Sequence, residues 1–397
     1  MLRTRVTREV EIPNKVVLKR LEKSPELGPK VLFFSGGTAL RALSKRIINY
    51  THNSIHVITP FDSGGSSAKL RQAFQMPAVG DIRNRLMALA DLSFHGNPEI
   101  FALFARRFPK EETADALFDE FMHMVRGEHP LVAKIPDPMR KIVRNQLQIF
   151  CESMPPDFDL RGASIGNLVL VGGYLAYRGH LDPVIFTFSN LVQVRGVVRP
   201  VLNKNLHLVA NLENGERVVG QHLLTGKEVP PLASKIERVF LAEDHAGGVA
   251  AQIHIREKMA ALIHSAELIC YPMGSFYSSL IANLLPTGVG AAISETSCPK
   301  VFIPSTGVDP ECCGIGLMEQ IEILLQHLKA DAPGRIATSD VLNFVLIDKK
   351  RGRYQGRIDE ELIRQLGVEV IDCPLIGYGP ATDIDDRLLA PILLSLT

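Results

Sequence analysis

The chain carries almost no surplus of charge: 44 Lys and Arg face 43 Asp and Glu, for a formal net charge of +1. No long basic run breaks that balance, which disfavours a non-specific nucleic-acid binder, since such binding draws on clustered cations. The six cysteines (151, 270, 298, 312, 313 and 373) have no CxxC spacing, and adjacent Cys312-Cys313 are poorly placed to bridge each other. Nothing resembles a zinc site, and free thiols in a reducing cytosol are expected. The most apolar stretches, Ile165–Tyr177 and Leu280–Ile293, are too short or too broken by Gly and Pro to span a bilayer. Met1–Arg5 is basic, but no apolar h-region follows, so a secretory leader is not expected. A cytoplasmic protein without membrane contact is the expectation. The GxxxxGK[ST], GxGxxG and HExxH patterns are missing, which removes P-loop, dinucleotide and zincin chemistry.

What is present is a large apolar fraction, 46% of 397 residues, enough for a sizeable core. Three glycine- and hydroxyl-rich loops each follow a strand-like run. Val31–Phe34 leads into Ser35-Gly36-Gly37-Thr38, Ile55–Thr59 into Asp62-Ser63-Gly64-Gly65-Ser66-Ser67, and Leu268–Tyr271 into Met273-Gly274-Ser275-Phe276-Tyr277-Ser278-Ser279. Helical periodicity follows the first loop, with Leu40, Leu43 and Ile47 on one face, and resumes at 249–265, 317–329 and 359–366. Further strands are expected near 300–303, 343–347 and 368–371. Alternating strands and helices argue an α/β fold with a doubly wound, mostly parallel sheet.

Residues 1–30, charged and dotted with proline, read as an arm or edge strand. The remainder, 31–397, reads as a single domain with two additions. One is a helical insertion at about 93–160, where Ala114, Leu117, Phe118, Phe121 and Val125 form an apolar face and Asp137-Pro138 opens a second helix. The other is a β excursion: residues 184–240 are rich in β-branched side chains, its body is about 199–240, and Asn214-Gly215 marks a hairpin. No internal repeat or low-complexity tract occurs.

Glycine lets a backbone approach a ligand closely, and the helix that follows offers unpaired N–H groups and partial positive charge. Gly36, Gly37 and Thr38 are thus candidates for holding phosphate. Asp62 places a carboxylate at a strand's C-terminal end, able to hold Mg²⁺ or a substrate hydroxyl, beside Gly64, Gly65, Ser66 and Ser67 as phosphate donors. Lys69 and Arg71 follow as cations suited to an anion. Asp81, Arg83 and Asn84 put a carboxylate, a guanidinium and an amide within one helical turn, opened by Pro77–Gly80. Ser164 reads equally as an N-cap and as a ligand contact. Asn167, within an apolar run, needs partners that a ligand would supply. Gly274, Ser275, Tyr277 and Ser279 complete the candidates. Glu243-Asp244-His245 looks metal-like but lacks a matching second histidine, and reads as a solvated loop.

These pieces in this order resemble the CofD-like superfamily, which contains 2-phospho-L-lactate transferase and the YvcK-like gluconeogenesis factors. The matching blocks are Gly36–Thr38, Asp62 with Gly64–Ser67, Leu70-Arg71, Pro77–Asn84, Gly162–Leu170, Asn190 with Val194-Arg195-Gly196, and Gly274–Leu285. They span about residues 31–305, and 306–397 match less clearly.

The resemblance implies a Rossmann-like core binding a nucleotide-linked ligand across its glycine loops, with Gly36–Thr38 and Gly274–Ser279 on the nucleotide. It gives Asp62 and Asp81 the work of orienting acceptor or metal, and places Asn190 at the ligand. The transferase branch moves a phospholactyl-type group from a guanosine diphosphate-linked donor to a deazaflavin precursor with Mg²⁺. The other branch looks like a regulator that binds nucleotide sugars. The chain departs from the pattern in three places: Ser35 and Ala39 replace glycines flanking the first loop, Asp62-Ser63 replaces paired aspartates, and Pro272-Met273-Gly274-Ser275 replaces Gly-Pro-Gly-Ser. Losing one of two adjacent charges weakens a Mg²⁺ site. The expected function is nucleotide or nucleotide-sugar binding with phosphoryl-linked group transfer, or the sensing of such a ligand without turnover. Since twofold homo-oligomers are common among soluble proteins, a homodimer is expected.

Overall fold

Val31–Ser35 is buried along its whole length and apolar up to Ser35, the mark of a strand covered on both faces, and it lies inside the main sheet as β1. In this computed structural model, residues 9–93, 96–226, 229–244, 246–378 and 383–397 are described. The other strands are β2 (Ile55–Ile58), β3 (Val197–Pro200), β4 (His207–Leu212), β5 (Arg217–Val219), β6 (Ile236–Ala242), β7 (Leu268–Tyr271), β8 (Lys300–Phe302), β9 (Phe344–Ile347) and β10 (Glu369–Asp372). Seven of them make one sheet in the order β10-β9-β8-β7-β1-β2-β3, with parallel pairing throughout. The chain runs outward from β1 through β2 to β3, returns to β7 on the other side of β1, and runs outward again to β10. The reversal falls between β1 and β7. Such a switch point leaves a crevice beyond the carboxyl ends of the strands.

The three remaining strands form a separate antiparallel sheet, β5-β4-β6. Asn214-Gly215 makes its hairpin as expected, with Gly215 at φ 84°. This small sheet does not hang free: Leu208, Leu212 and Leu241 share one apolar cluster with Phe34, Ile269 and Tyr271 of the main sheet.

The helical insertion is longer than its composition suggested. Between β2 and β3, helices at Pro98–Ala105, Ala114–Arg126 and Met139–Ser153 continue into Ile165–Ala176 and Leu181–Leu191, all contributing to one apolar cluster. The β-branched residues from 184 onward therefore sit first in a helix, because Val184, Ile185 and Phe188 fall on a single buried face. In Ala114–Arg126 the buried stripe is Leu117, Phe121 and Met124, whereas Phe118 is 43% exposed. Asp137 pairs with Arg140 at 3.1 Å rather than capping the helix that begins at Met139.

The expected N-terminal arm is also corrected. Residues Lys15–Lys23 form a helix whose cap, Asn14, accepts from the Val17 N–H at 3.1 Å. The Asn14 N–H donates to Ser395 Oγ at 2.7 Å, tying this helix to the C-terminal helix Asp386–Ser395. The first eight residues of the arm lie outside the described residues. All six cysteines are free, and among the described residues no helix is long and apolar enough to cross a membrane.

Candidate functional site

The loops that follow β1, β2 and β7 meet over the switch point around one cavity of about 330 Å³. Gly36, Gly37 and Thr38 line it from the first loop, and Asp62, Gly64, Gly65, Ser66 and Ser67 from the second. Gly274, Ser275 and Ser279 come from the third, while Asp81, Arg83, Asn84 and Asn167 come from two helices. Most of the residues singled out in the sequence are thus brought together.

Glycine is what allows the loops to close on one another. A Cβ on Gly37 would come within 2.1 Å of Asp81 Oδ1 and 3.1 Å of Asp81 Cα, and one on Gly36 within 2.5 Å of Ser279 Oγ. A Cβ on Gly80 would meet Ser67 Oγ at 2.5 Å. Asp81 therefore packs directly on the first loop. In the second loop, Asp62 Oδ1 accepts from the Gly64 N–H at 3.1 Å, which fixes the entry to the helix Gly65–Phe74. The first-turn N–H groups of that helix, at Gly65 and Ser66, have no acceptor within the helix itself.

Two guanidiniums, of Arg83 and Arg107, line the cavity together with the carboxylates of Asp62 and Asp81. The Arg83 guanidinium donates to Ser164 Oγ and to Asn84 Oδ1, while its buried Nε has no partner. Burial, followed by the repulsion of Arg107 and Arg41, pulls Arg83 down to about 10, with Asp81 opposing. It remains a cation at neutral pH, held among other cations, and an anion is the natural complement. Arg107, which the sequence reading did not single out, lines the same cavity. Asn167 Nδ2 donates to Ser66 Oγ at 3.3 Å, and its buried Oδ1 has no partner.

Five expected contacts lie elsewhere, the first being Lys69, which pairs with Asp159 at 2.7 Å outside the cavity lining. Arg71 is buried and spends its donors on the carbonyls of Phe61 (3.0 Å), Asp62 (3.2 Å) and Leu206 (2.6 Å) and on Asn205 Oδ1 (2.8 Å). It is a strut between the second loop and the small sheet. Ser164 sits behind Arg83 and orients it, making no side-chain cap bond of its own. Asn190 Nδ2 donates to the Phe186 carbonyl at 2.9 Å on the exposed face of its own helix, outside the cavity lining. The Tyr277 side chain is buried edge-on against Phe276, outside the cavity lining, and burial pushes its phenol up.

The third loop holds a larger correction. The N–H groups that open Phe276–Ile281 were expected to face phosphate. Instead Phe276 N–H donates to Asp309 Oδ2 at 2.8 Å, and Tyr277 and Ser278 N–H donate to Glu311 Oε2 at 2.9 and 2.8 Å. The protein's own carboxylates take the place of a ligand anion. Glu311 is completely buried, and burial, with Asp309 alongside, pushes its carboxyl up to about 7.

Two other groups escaped notice in the sequence. Arg85, with no exposed surface, donates to the Gly36 carbonyl at 2.8 Å and to Ser35 Oγ at 3.2 Å, bracing the first loop from beneath. Its signal was an arginine among the apolar positions of an otherwise core-facing helix. His222, on the short helix after β5, lines the cavity and contacts Ser63 Oγ through Nδ1 at 2.8 Å. Nothing in the local pattern marks it, because the small sheet delivers it from far along the chain. His245 lies outside the described residues.

Among the described residues, no group of three His, Cys, Asp or Glu side chains is placed to hold a metal. Asp62, with neighbouring hydroxyls, fits Mg²⁺ in the manner of sites where one carboxylate and the substrate's phosphates share the ion.

The family model of 2-phospho-L-lactate transferase CofD matches residues 31–376, so the match runs well past residue 305. The gluconeogenesis factor of Bacillus subtilis is 26% identical over 376 residues, covering 93% of this chain and 98% of that protein. The gluconeogenesis factor of Halalkalibacterium halodurans is 26% identical over 350 residues, covering 86% and 88%. A crystal structure of a UPF0052 family member from Bacillus halodurans superposes with a TM-score of 0.65 at 22% identity, covering 92% of this chain and 99% of that one. That likeness speaks for the fold alone. The chain belongs to the CofD family.

Proposed function

We propose that this CofD-family protein binds the diphosphate of a nucleotide or nucleotide sugar in the switch-point cavity. The observation that carries the reading is Arg83, a buried cation flanked by Arg107 and Arg41, with its Nε unpartnered beside the converging glycine loops. The phosphates would lie across Gly36–Thr38 and the Gly65–Ser66 helix start, where main-chain N–H groups and helix polarity favour anions. Asn167 would meet a ligand donor through Oδ1. Mg²⁺, if bound, would be held by Asp62 and would neutralise phosphate charge. Group transfer at such a site needs little covalent help from the protein, because positioning and preorganised donors supply most of it.

The comparisons name two kinds of relative, a transferase family and gluconeogenesis factors. One observation favours the second reading, a regulator that senses the ligand without turnover. Ser63 stands where the family pattern has a second aspartate, and its hydroxyl is committed to His222. One experiment addresses both: calorimetric titration with GDP, GTP and uridine diphosphate sugars, with and without Mg²⁺. Binding is expected for at least one diphosphate. Arg83→Gln should weaken it by about tenfold or more, the loss of one charged hydrogen bond. Asp62→Ala should erase any gain due to Mg²⁺. No binding by any of them ends the reading. Turnover of a nucleotide-linked donor with a hydroxyl acceptor would identify a transferase, and tight binding without turnover a sensor.

A further inference from the structure

Gly220, whose N–H donates to the Leu208 carbonyl at 2.8 Å, leads from β5 into the short helix Gln221–Leu224 that carries His222. A Cβ on Gly220, which sits at φ 112°, would come within 3.0 Å of Ser63 Oγ and 3.1 Å of the imidazole, so glycine is what lets the two side chains meet. Thr225 Oγ1 donates to the His222 carbonyl at 3.1 Å and holds the backbone from the other side. Ser63 Oγ accepts from the His222 main-chain N–H at 3.3 Å and lies 2.8 Å from Nδ1.

A hydroxyl has one proton to give. The main-chain N–H already donates to Ser63, so the serine's own proton goes to Nδ1, and among the described residues it has no other acceptor. A neutral imidazole that accepts at Nδ1 carries its proton on Nε2. His222 Nε2 has no partner among the described residues, and it is not sealed within the fold. His222 lines the same cavity as Gly64, Gly65 and Ser66, and its anchor Ser63 lies two positions before the helix Gly65–Phe74. The imidazole thus offers an N–H on the side of the cavity where phosphate would meet the start of that helix. An aspartate at position 63, as in the family pattern, meets phosphate only through a cation. Ser63 is neutral, and through His222 it supplies a direct donor instead.

We infer that His222 Nε2 donates to a non-bridging oxygen of the ligand's diphosphate, and that Ser63 is the positioning residue that keeps the proton on that nitrogen. The inference rests on the diphosphate reading of the cavity. GDP and inorganic pyrophosphate are titrated calorimetrically into the full chain in EDTA, so that no divalent ion contributes. His222→Ala should weaken both by about tenfold, the loss of one hydrogen bond to a charged oxygen. His222→Gln, which keeps an N–H donor on a side chain of similar reach, should recover most of that loss. Histidine proton–nitrogen spectra read the tautomer, with the His222 signal picked out from the twelve histidines by its loss in His222→Gln. Wild type should show a protonated Nε2 and a bare Nδ1. Ser63→Ala should mix the two tautomers and weaken GDP by about threefold. Unchanged affinity in His222→Ala, a loss that His222→Gln does not restore, or a wild-type His222 protonated on Nδ1 would overturn the inference. GDP that binds only with Mg²⁺ would keep the nucleotide reading and overturn this one. Pyrophosphate binding without GDP binding would sink the nucleotide reading, and the same variants would still decide this one. Binding of neither under any condition removes both.

Discussion

At the scale of single residues, the site depends on how chemically similar groups divide their work. Arg83 and Arg85 lie two positions apart, and burial pulls both down to about 10. Each keeps a buried Nε without a partner, yet Arg85 spends its terminal donors on Ser44, Ser35 and the Gly36 carbonyl, while Arg83 lines the cavity. One arginine shapes the loop from beneath and the other lines the cavity. The glycines show the same economy. At Gly37 the clash of a methyl group would be with Asp81 Oδ1 at 2.1 Å and with Asp81 Cα at 3.1 Å, so turning the carboxylate aside would not relieve it. The loop itself must shift. Gly37→Ala is therefore expected to lower nucleotide affinity by about tenfold or more while leaving the secondary structure intact. Calorimetry alongside far-ultraviolet circular dichroism checks this, and retained affinity would show that the first loop's close approach is dispensable.

At the scale of elements, the segment after β7 shows why a helix start is not automatically an anion site. Its first N–H groups are capped by Asp309 and Glu311 from a strap more than thirty residues away in sequence. Glu311 holds its proton to higher pH in the fold than in the unfolded chain, about 7 against 4.5. Its share of stability is then fully present below about pH 4.5 and is lost as pH rises through about 7. Glu311→Gln keeps an acceptor for both N–H groups but cannot ionise. Relative to wild type, the variant should gain stability steadily across that window, read as the difference in urea midpoints at each pH. A constant difference would mean that Glu311 does not titrate there.

This capping was not legible in the sequence, because Gly274-Ser275 looks the same whether a phosphate or a distant carboxylate meets the N–H groups beyond it. The strands were legible, since β1, β2 and β7 are mostly apolar runs, each followed by a loop that carries glycine. The helix Leu181–Leu191 was obscured by β-branched residues whose burial, not backbone preference, decides their state. Arg71 looked like a ligand contact because charge near a glycine loop is visible in a sequence, and the carbonyls that consume it are not. Asn190 followed a matching block that the fold places on the exposed face of a helix.

For the whole molecule, the order β10-β9-β8-β7-β1-β2-β3 brings the loops together from residues 36, 64 and 274. Chain alternation predicts a parallel sheet, but the position of the reversal emerges only when β7 pairs with β1. One face of that sheet is covered by segments from both chain ends. Leu389, Ile392, Leu393 and Leu394 of the C-terminal helix pack with Leu40, Leu43 and Ile47 behind the first loop, and with Val31 and Phe33 of β1. Burying each of those four side chains is worth about 1.5–3 kcal/mol. Their combined burial is comparable to the whole stability of a typical domain, roughly 5–15 kcal/mol. Removal of residues 386–397 should therefore abolish the cooperative melt rather than fray an end, with exposed apolar surface reported by a hydrophobic dye. It should abolish nucleotide binding too, because the helix Arg41–Ile47 that follows the first loop rests on this cluster. A truncated chain that still melts cooperatively and binds as wild type would show that the site is held by the strands and the helical insertion alone.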